Sequence, residues 1–136
     1  MKQIRTLGFL CLLFLISVFS FAQGSDGEET VRQISQAIER GSARDLSKFF
    51  GQNADLYLPR AEGTFSRTQS EMILRDFFNR NRPSSFTIIT QGVARDGSIY
   101  VIGNYTTRGG QTFRSYFLIK KISQNYHLHH LQFDLQ

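Results

Sequence analysis

Ile99-Tyr100-Val101-Ile102-Gly103-Asn104-Tyr105-Thr106-Thr107 and Thr112-Phe113-Arg114-Ser115-Tyr116-Phe117-Leu118-Ile119-Lys120-Lys121-Ile122 decide the fold. Both are rich in β-branched and aromatic residues, and both alternate. In the second, Phe113, Phe117 and Ile119 fall on one face, and Arg114, Tyr116, Leu118 and Lys120 fall on the other. Gly109-Gly110 lies between them and reads as a turn. The same period extends outward in both directions. Phe86 to Ala94 is a strand joined to the first stretch by Asp96-Gly97, a hairpin signal. Tyr126 to Phe133 is a strand reached through Ser123-Gln124-Asn125. The back half is expected to be a four-stranded antiparallel meander.

Upstream the period changes to that of a helix. Val31, Ile34, Ala37 and Ile38 share one face of a helix predicted over Thr30–Arg40, with Gly41 placed to end it in a left-handed cap. Ser42-Ala43-Arg44-Asp45 opens a short second helix, for which Leu46, Phe49 and Phe50 supply the buried side and Gly51 the stop. Ala54–Leu58 and Glu62–Phe65 read as two short strands around Pro59. Ser66-Arg67-Thr68-Gln69 is a capping-box sequence for the longest helix, Arg67 to Arg80. On that helix Met72, Ile73, Asp76, Phe77 and Arg80 share one region, Leu74 and Phe78 extend the apolar side, and Pro83 ends it. Helices followed by a meander give an α+β, cone-like domain: the helices cover one face of a curved sheet and leave a concave cleft under the long helix.

The N-terminal segment reads differently. Lys2 and Arg5 precede an apolar run, Leu7 to Ile16 and on through Phe19, and Ser20-Phe21-Ala22 offers small residues at the cleavage positions. Residues 1–22 are expected to be a secretory signal peptide, and residues 23–136 a single domain exported to the periplasm or beyond the cell. The run is shorter than the roughly 20 residues that span a bilayer, and no membrane span is expected after cleavage. Cleavage would remove Cys11, the only cysteine, and lower the formal charge from +5 to +3. Disulfides, thiolate metal sites and cysteine nucleophiles are then excluded. The remaining basic residues are dispersed and no nucleic-acid motif occurs, so no nucleic-acid partner is expected.

Several stretches carry a resemblance to a known family. They are Ile38-Glu39-Arg40-Gly41-Ser42-Ala43-Arg44-Asp45-Leu46-Ser47-Lys48-Phe49-Phe50, the approach Glu62-Gly63-Thr64-Phe65-Ser66 to Ile73-Leu74-Arg75-Asp76-Phe77-Phe78, Ser85-Phe86-Thr87-Ile88-Ile89-Thr90-Gln91-Gly92, and Gly97-Ser98-Ile99-Tyr100. With this order of elements the chain resembles the exported bacterial domain-of-unknown-function 4783 family, within the nuclear-transport-factor-2-like (cystatin-like) superfold. The resemblance implies that fold and an export route. It implies no reaction, since the superfold hosts enzymes, carriers and interaction modules alike.

Few residues point to chemistry. His127-Leu128-His129-His130 would set His127 and His129 on one side of a strand, yet two imidazoles without a third ligand do not make a metal site, and none is expected. Asp55, Asp76 and Tyr57 are candidates to face the cleft as acid, base or hydrogen-bond donor, although Arg80, one turn from Asp76, offers it an ordinary helix-surface ion pair. Arg114 and Tyr116 would hold an anion if their face were concave. No phosphate loop, nucleophile elbow or dinucleotide fingerprint occurs, and no cofactor is expected. Two functions stay open. One is a non-catalytic module for a small apolar or amphipathic ligand, lined by Tyr57, Phe78 and Phe117, or for a protein partner. The other is a small cone-fold lyase, isomerase or hydrolase using a pocket carboxylate or histidine. A homodimer is a further expectation, formed by edge pairing of Tyr126–Phe133 or by sheet-to-sheet packing.

Overall fold

A computed structural model describes residues 25–136, so the signal-peptide and Cys11 expectations lie outside the described residues. Its elements run α1 (Asp26–Arg40), α2 (Ala43–Ser47), β1 (Phe50–Leu58), β2 (Ala61–Ser66), α3 (Arg67–Arg80), β3 (Pro83–Val93), β4 (Ile99–Thr107), β5 (Thr112–Ile122) and β6 (Asn125–Leu135). Helix α1 begins a turn earlier than its apolar face suggests. The Ser25 hydroxyl accepts from the Glu28 amide at 3.2 Å, and Asp26, Glu28 and Glu29 complement the helix dipole. Gly41 closes the helix at φ 65°, a conformation that costs glycine nothing. The capping box at Ser66 and Gln69 is complete in both directions. Arg67, the first residue of α3, ties the helix to β1 by donating Nε and Nη2 to the Phe50 carbonyl at 3.1 and 2.7 Å.

The sheet has six strands in the order β2-β1-β6-β5-β4-β3, where four were expected. Strands β3 to β6 do form the antiparallel meander. Strand β1 then adds in parallel to β6, with Leu56 opposite Leu131, and carries β2 with it as an antiparallel hairpin. Parallel addition satisfies the backbone groups that a terminal β6 would leave bare. It also corrects two expectations. Strand β6 is interior, flanked by β1 and β5, so dimerisation by pairing along its edge is closed. Phe50 belongs to β1 and not to the second helix; it is fully buried at the start of the parallel pairing.

One face of the sheet is apolar across its four inner strands. It carries Ala54, Leu56 and Leu58 of β1, Leu128, Leu131 and Phe133 of β6, Phe113, Phe117 and Ile119 of β5, and Val101 and Tyr105 of β4. Val31, Ile34, Ala37 and Ile38 of α1, Leu46 of α2, and Leu74, Phe77 and Phe78 of α3 cover that face. Its centre is filled by rings: Phe77, Phe78, Tyr105, Phe113 and Phe133 form one cluster, the closest pair being Phe77 and Phe133 at 4.7 Å between centroids.

Candidate functional site

The expected cleft under the long helix exists only at one end, because the aromatic cluster plugs the rest. A cavity of about 590 Å³ opens there. Helix α3 supplies Met72, Ile73, Asp76, Phe77 and Arg80, one stripe at helical spacing. The tight β1–β2 turn supplies Leu58, Pro59, Arg60 and Ala61, and Asn81, Gln111, Phe113 and Leu135 complete the wall. Phe77 and Phe113 are buried and form the floor, while Met72 (63% exposed) and Leu135 (56%) present apolar surface to solvent at the mouth. Such exposure of large apolar side chains around a concavity marks a binding surface better than scattered exposed leucines do.

The polar groups of the cavity are few and mostly engaged. The Arg80 Nε donates to both Asp76 carboxylate oxygens at 3.0 Å each. Asn81 donates its side-chain amide to the Phe77 carbonyl at 3.1 Å and accepts the Tyr105 hydroxyl on its own carbonyl. Burial raises the Tyr105 pKa well above the usual tyrosine range, which keeps that hydroxyl a donor. Arg60 is exposed on its turn and has no carboxylate within ion-pair distance among the described residues.

The residues expected to line the cleft do not gather there. Phe78 (3% exposed) is in the aromatic cluster, and Phe117 (0%) packs in the covered core. Tyr57 lies on the opposite, uncovered face, because it alternates with buried Leu56 and Leu58. Its ring stacks on His130 at 4.9 Å, and Tyr116 meets the same imidazole edge-on at 5.3 Å. Asp55 is on that face too, accepting from the Thr64 hydroxyl at 2.6 Å with His129 at 4.0 Å. The strand alternation expected to align His127 and His129 breaks at a bulge: Ile119 faces Leu128 and Leu118 faces His130, leaving His129 without a partner in the register. Arg114 also belongs to the uncovered face, where it donates to the Asn104 side chain at 3.2 Å. Of the ionisable candidates only Asp76 reaches the cavity. Arg60, Gln111 and Leu135 were not foreseen there; they come from distant turns and a strand end, and no local pattern announces them. Among the described residues no group of three or more His, Cys, Asp or Glu is arranged to hold a metal ion, and no helix is long and apolar enough to cross a membrane.

Residues 31–134 match the domain of unknown function DUF4783. A DUF4783 family protein of Bacteroides ovatus is similar in structure, with a TM-score of 0.70 and 30% identity over 76% of this chain and 93% of its own. An NTF-2-like protein of unknown function from Silicibacter pomeroyi (TM-score 0.56, 13% identity, 80% of this chain and 92% of its own) shares the fold. So does a domain with a cystatin-like fold from Nostoc punctiforme (TM-score 0.64, 12% identity, 83% and 79%). No curated protein matches the chain.

Proposed function

The chain belongs to the DUF4783 family, a domain of unknown function, and since no reaction comes with that membership we propose from its site that it is a non-catalytic binding module for a small amphipathic molecule. The observation that carries the reading is the cavity of about 590 Å³ with an aromatic floor and with Met72 and Leu135 exposed at its mouth. Its size suits one small ligand, whose apolar part would cover Phe77, Phe113, Met72 and Leu135. Catalysis needs a base or nucleophile with a second polar group in reach of the reacting atoms. Asp76 has Arg80 on both its oxygens, and Asp55 and the histidines are across the sheet, so the binding reading is favoured. The reading includes export, supported by the apolar run behind Lys2 and Arg5.

Titration with the neutral apolar dye N-phenyl-1-naphthylamine tests it. The dye is expected to bind in one-to-one stoichiometry, and Met72→Gln and Leu135→Gln are each expected to weaken it about fivefold, from roughly 1 kcal/mol of apolar burial lost per side chain. Equal dye binding by wild type and both variants, or none by any, would refute the reading.

A further inference from the structure

We infer that the ligand is an amphiphile with a single anionic head, a carboxylate on an aliphatic or aryl body, and that Arg60 is the residue that holds the head. The inference deepens the proposed binding site and rests on it. Among the described residues three charged side chains line the cavity: Arg60, Asp76 and Arg80. Asp76 and Arg80 neutralise each other through the Nε contacts, leaving Arg60 as the uncompensated charge. The hairpin fixes where its backbone stands. Arg60 sits on a two-residue turn whose ends, Leu58 and Ala61, are paired across the β1–β2 hairpin. Leu58, Ala61 and Pro59 of the same hairpin join the apolar lining, so the Arg60 backbone and the greasy wall belong to one paired hairpin. An ammonium head would meet the Arg60 guanidinium with Asp76 already engaged by Arg80, and a neutral head would gain apolar burial alone. A carboxylate gains a charge-assisted, fork-shaped hydrogen-bond pair from Arg60.

Displacement of N-phenyl-1-naphthylamine by octanoate, octan-1-ol and octylammonium separates this inference from the reading beneath it, because the three share one chain and differ only in the head. Octanoate is expected to displace the dye at about tenfold lower concentration than octan-1-ol, with octylammonium weakest, the preference shrinking as salt is raised. Arg60→Gln, on an exposed turn, is expected to bring octanoate and octan-1-ol to equal potency, with the thermal midpoint unchanged. Equal potency of octanoate and octan-1-ol overturns the anionic assignment and leaves the apolar site standing. Preference for octylammonium overturns it as well. An octanoate preference that survives in Arg60→Gln removes Arg60 from the role. Absence of dye binding to the wild type overturns the site and the inference with it.

Discussion

The space between helix α3 and the sheet is filled at one end and open at the other, though both ends are lined with apolar side chains. At the filled end Phe78, Tyr105 and Phe133 meet ring to ring, and the Tyr105 hydroxyl ends on the Asn81 carbonyl. At the open end Met72, Ile73, Phe113 and Leu135 surround a void, and the β1–β2 hairpin faces them with Leu58, Pro59, Arg60 and Ala61, none of them aromatic. Phe77 belongs to both ends, as part of the cluster and as the floor of the cavity. Hydrophobicity therefore does not distinguish core from site in this molecule. The distinction is whether an opposing ring fills the space, and that predicts that the filled end governs stability and the open end governs binding.

Substitutions can break or sharpen this contrast. The largest effect is expected from Phe78→Ala, which removes a buried ring from a cluster that cannot collapse onto the gap, at a cost of about 3–5 kcal/mol in denaturant unfolding. Gly103→Ala, on the covered face of β4, comes next. Its Cβ would stand 2.8 Å from the Phe86 ring and 2.9 Å from the Thr87 carbonyl oxygen, and because the latter is backbone a loss of about 1–3 kcal/mol is expected.

Tyr105→Phe keeps the ring and deletes the bond to Asn81, for about 1 kcal/mol at neutral pH. The same variant carries a pH signature. Because the folded-state pKa of Tyr105 is raised above the unfolded value near 10, the folded chain keeps a proton that the unfolded chain releases. The stabilisation is complete below pH 10 and declines as pH rises toward the folded pKa, by about 1.4 kcal/mol per unit, and Tyr105→Phe is expected to be flatter by that slope in alkaline unfolding. The smallest stability effect belongs to the open end. Met72→Gln is expected to change unfolding by no more than about 0.5 kcal/mol while weakening ligand binding, and a loss like that of Phe78→Ala would erase the contrast.

Much of this arrangement is legible in the amino-acid sequence. The stripe Met72, Ile73, Asp76, Phe77 and Arg80 follows from helical spacing and is the α3 wall of the cavity. The Ser66–Gln69 box and the meander follow from equally local rules. What escaped is non-local. The parallel pairing of β1 with β6 joins Phe50 to Leu128, and nothing near either residue encodes it. Phe50 follows directly on a helical stretch, so period alone kept it in the helix. The bulge at His129 is a register event, invisible until Leu118 and Ile119 are set against β6. Tyr57 is a different case, since leucines on both sides already place it on the uncovered face. Arg60 reaches the cavity because the parallel addition of β1 to β6 sets the β1–β2 turn beside α3, which composition does not report.

Met72 also offers the most direct test of the central claim, that the open end is a binding site. The chain has two methionines, Met1 and Met72, so a ¹³C-methyl-methionine spectrum contains a resonance from the cavity mouth itself. On titration with octanoate the Met72 methyl signal is predicted to shift saturably, at a midpoint matching dye displacement. A Met72 signal that stays in place while octanoate binds elsewhere, or that never saturates, would contradict the account.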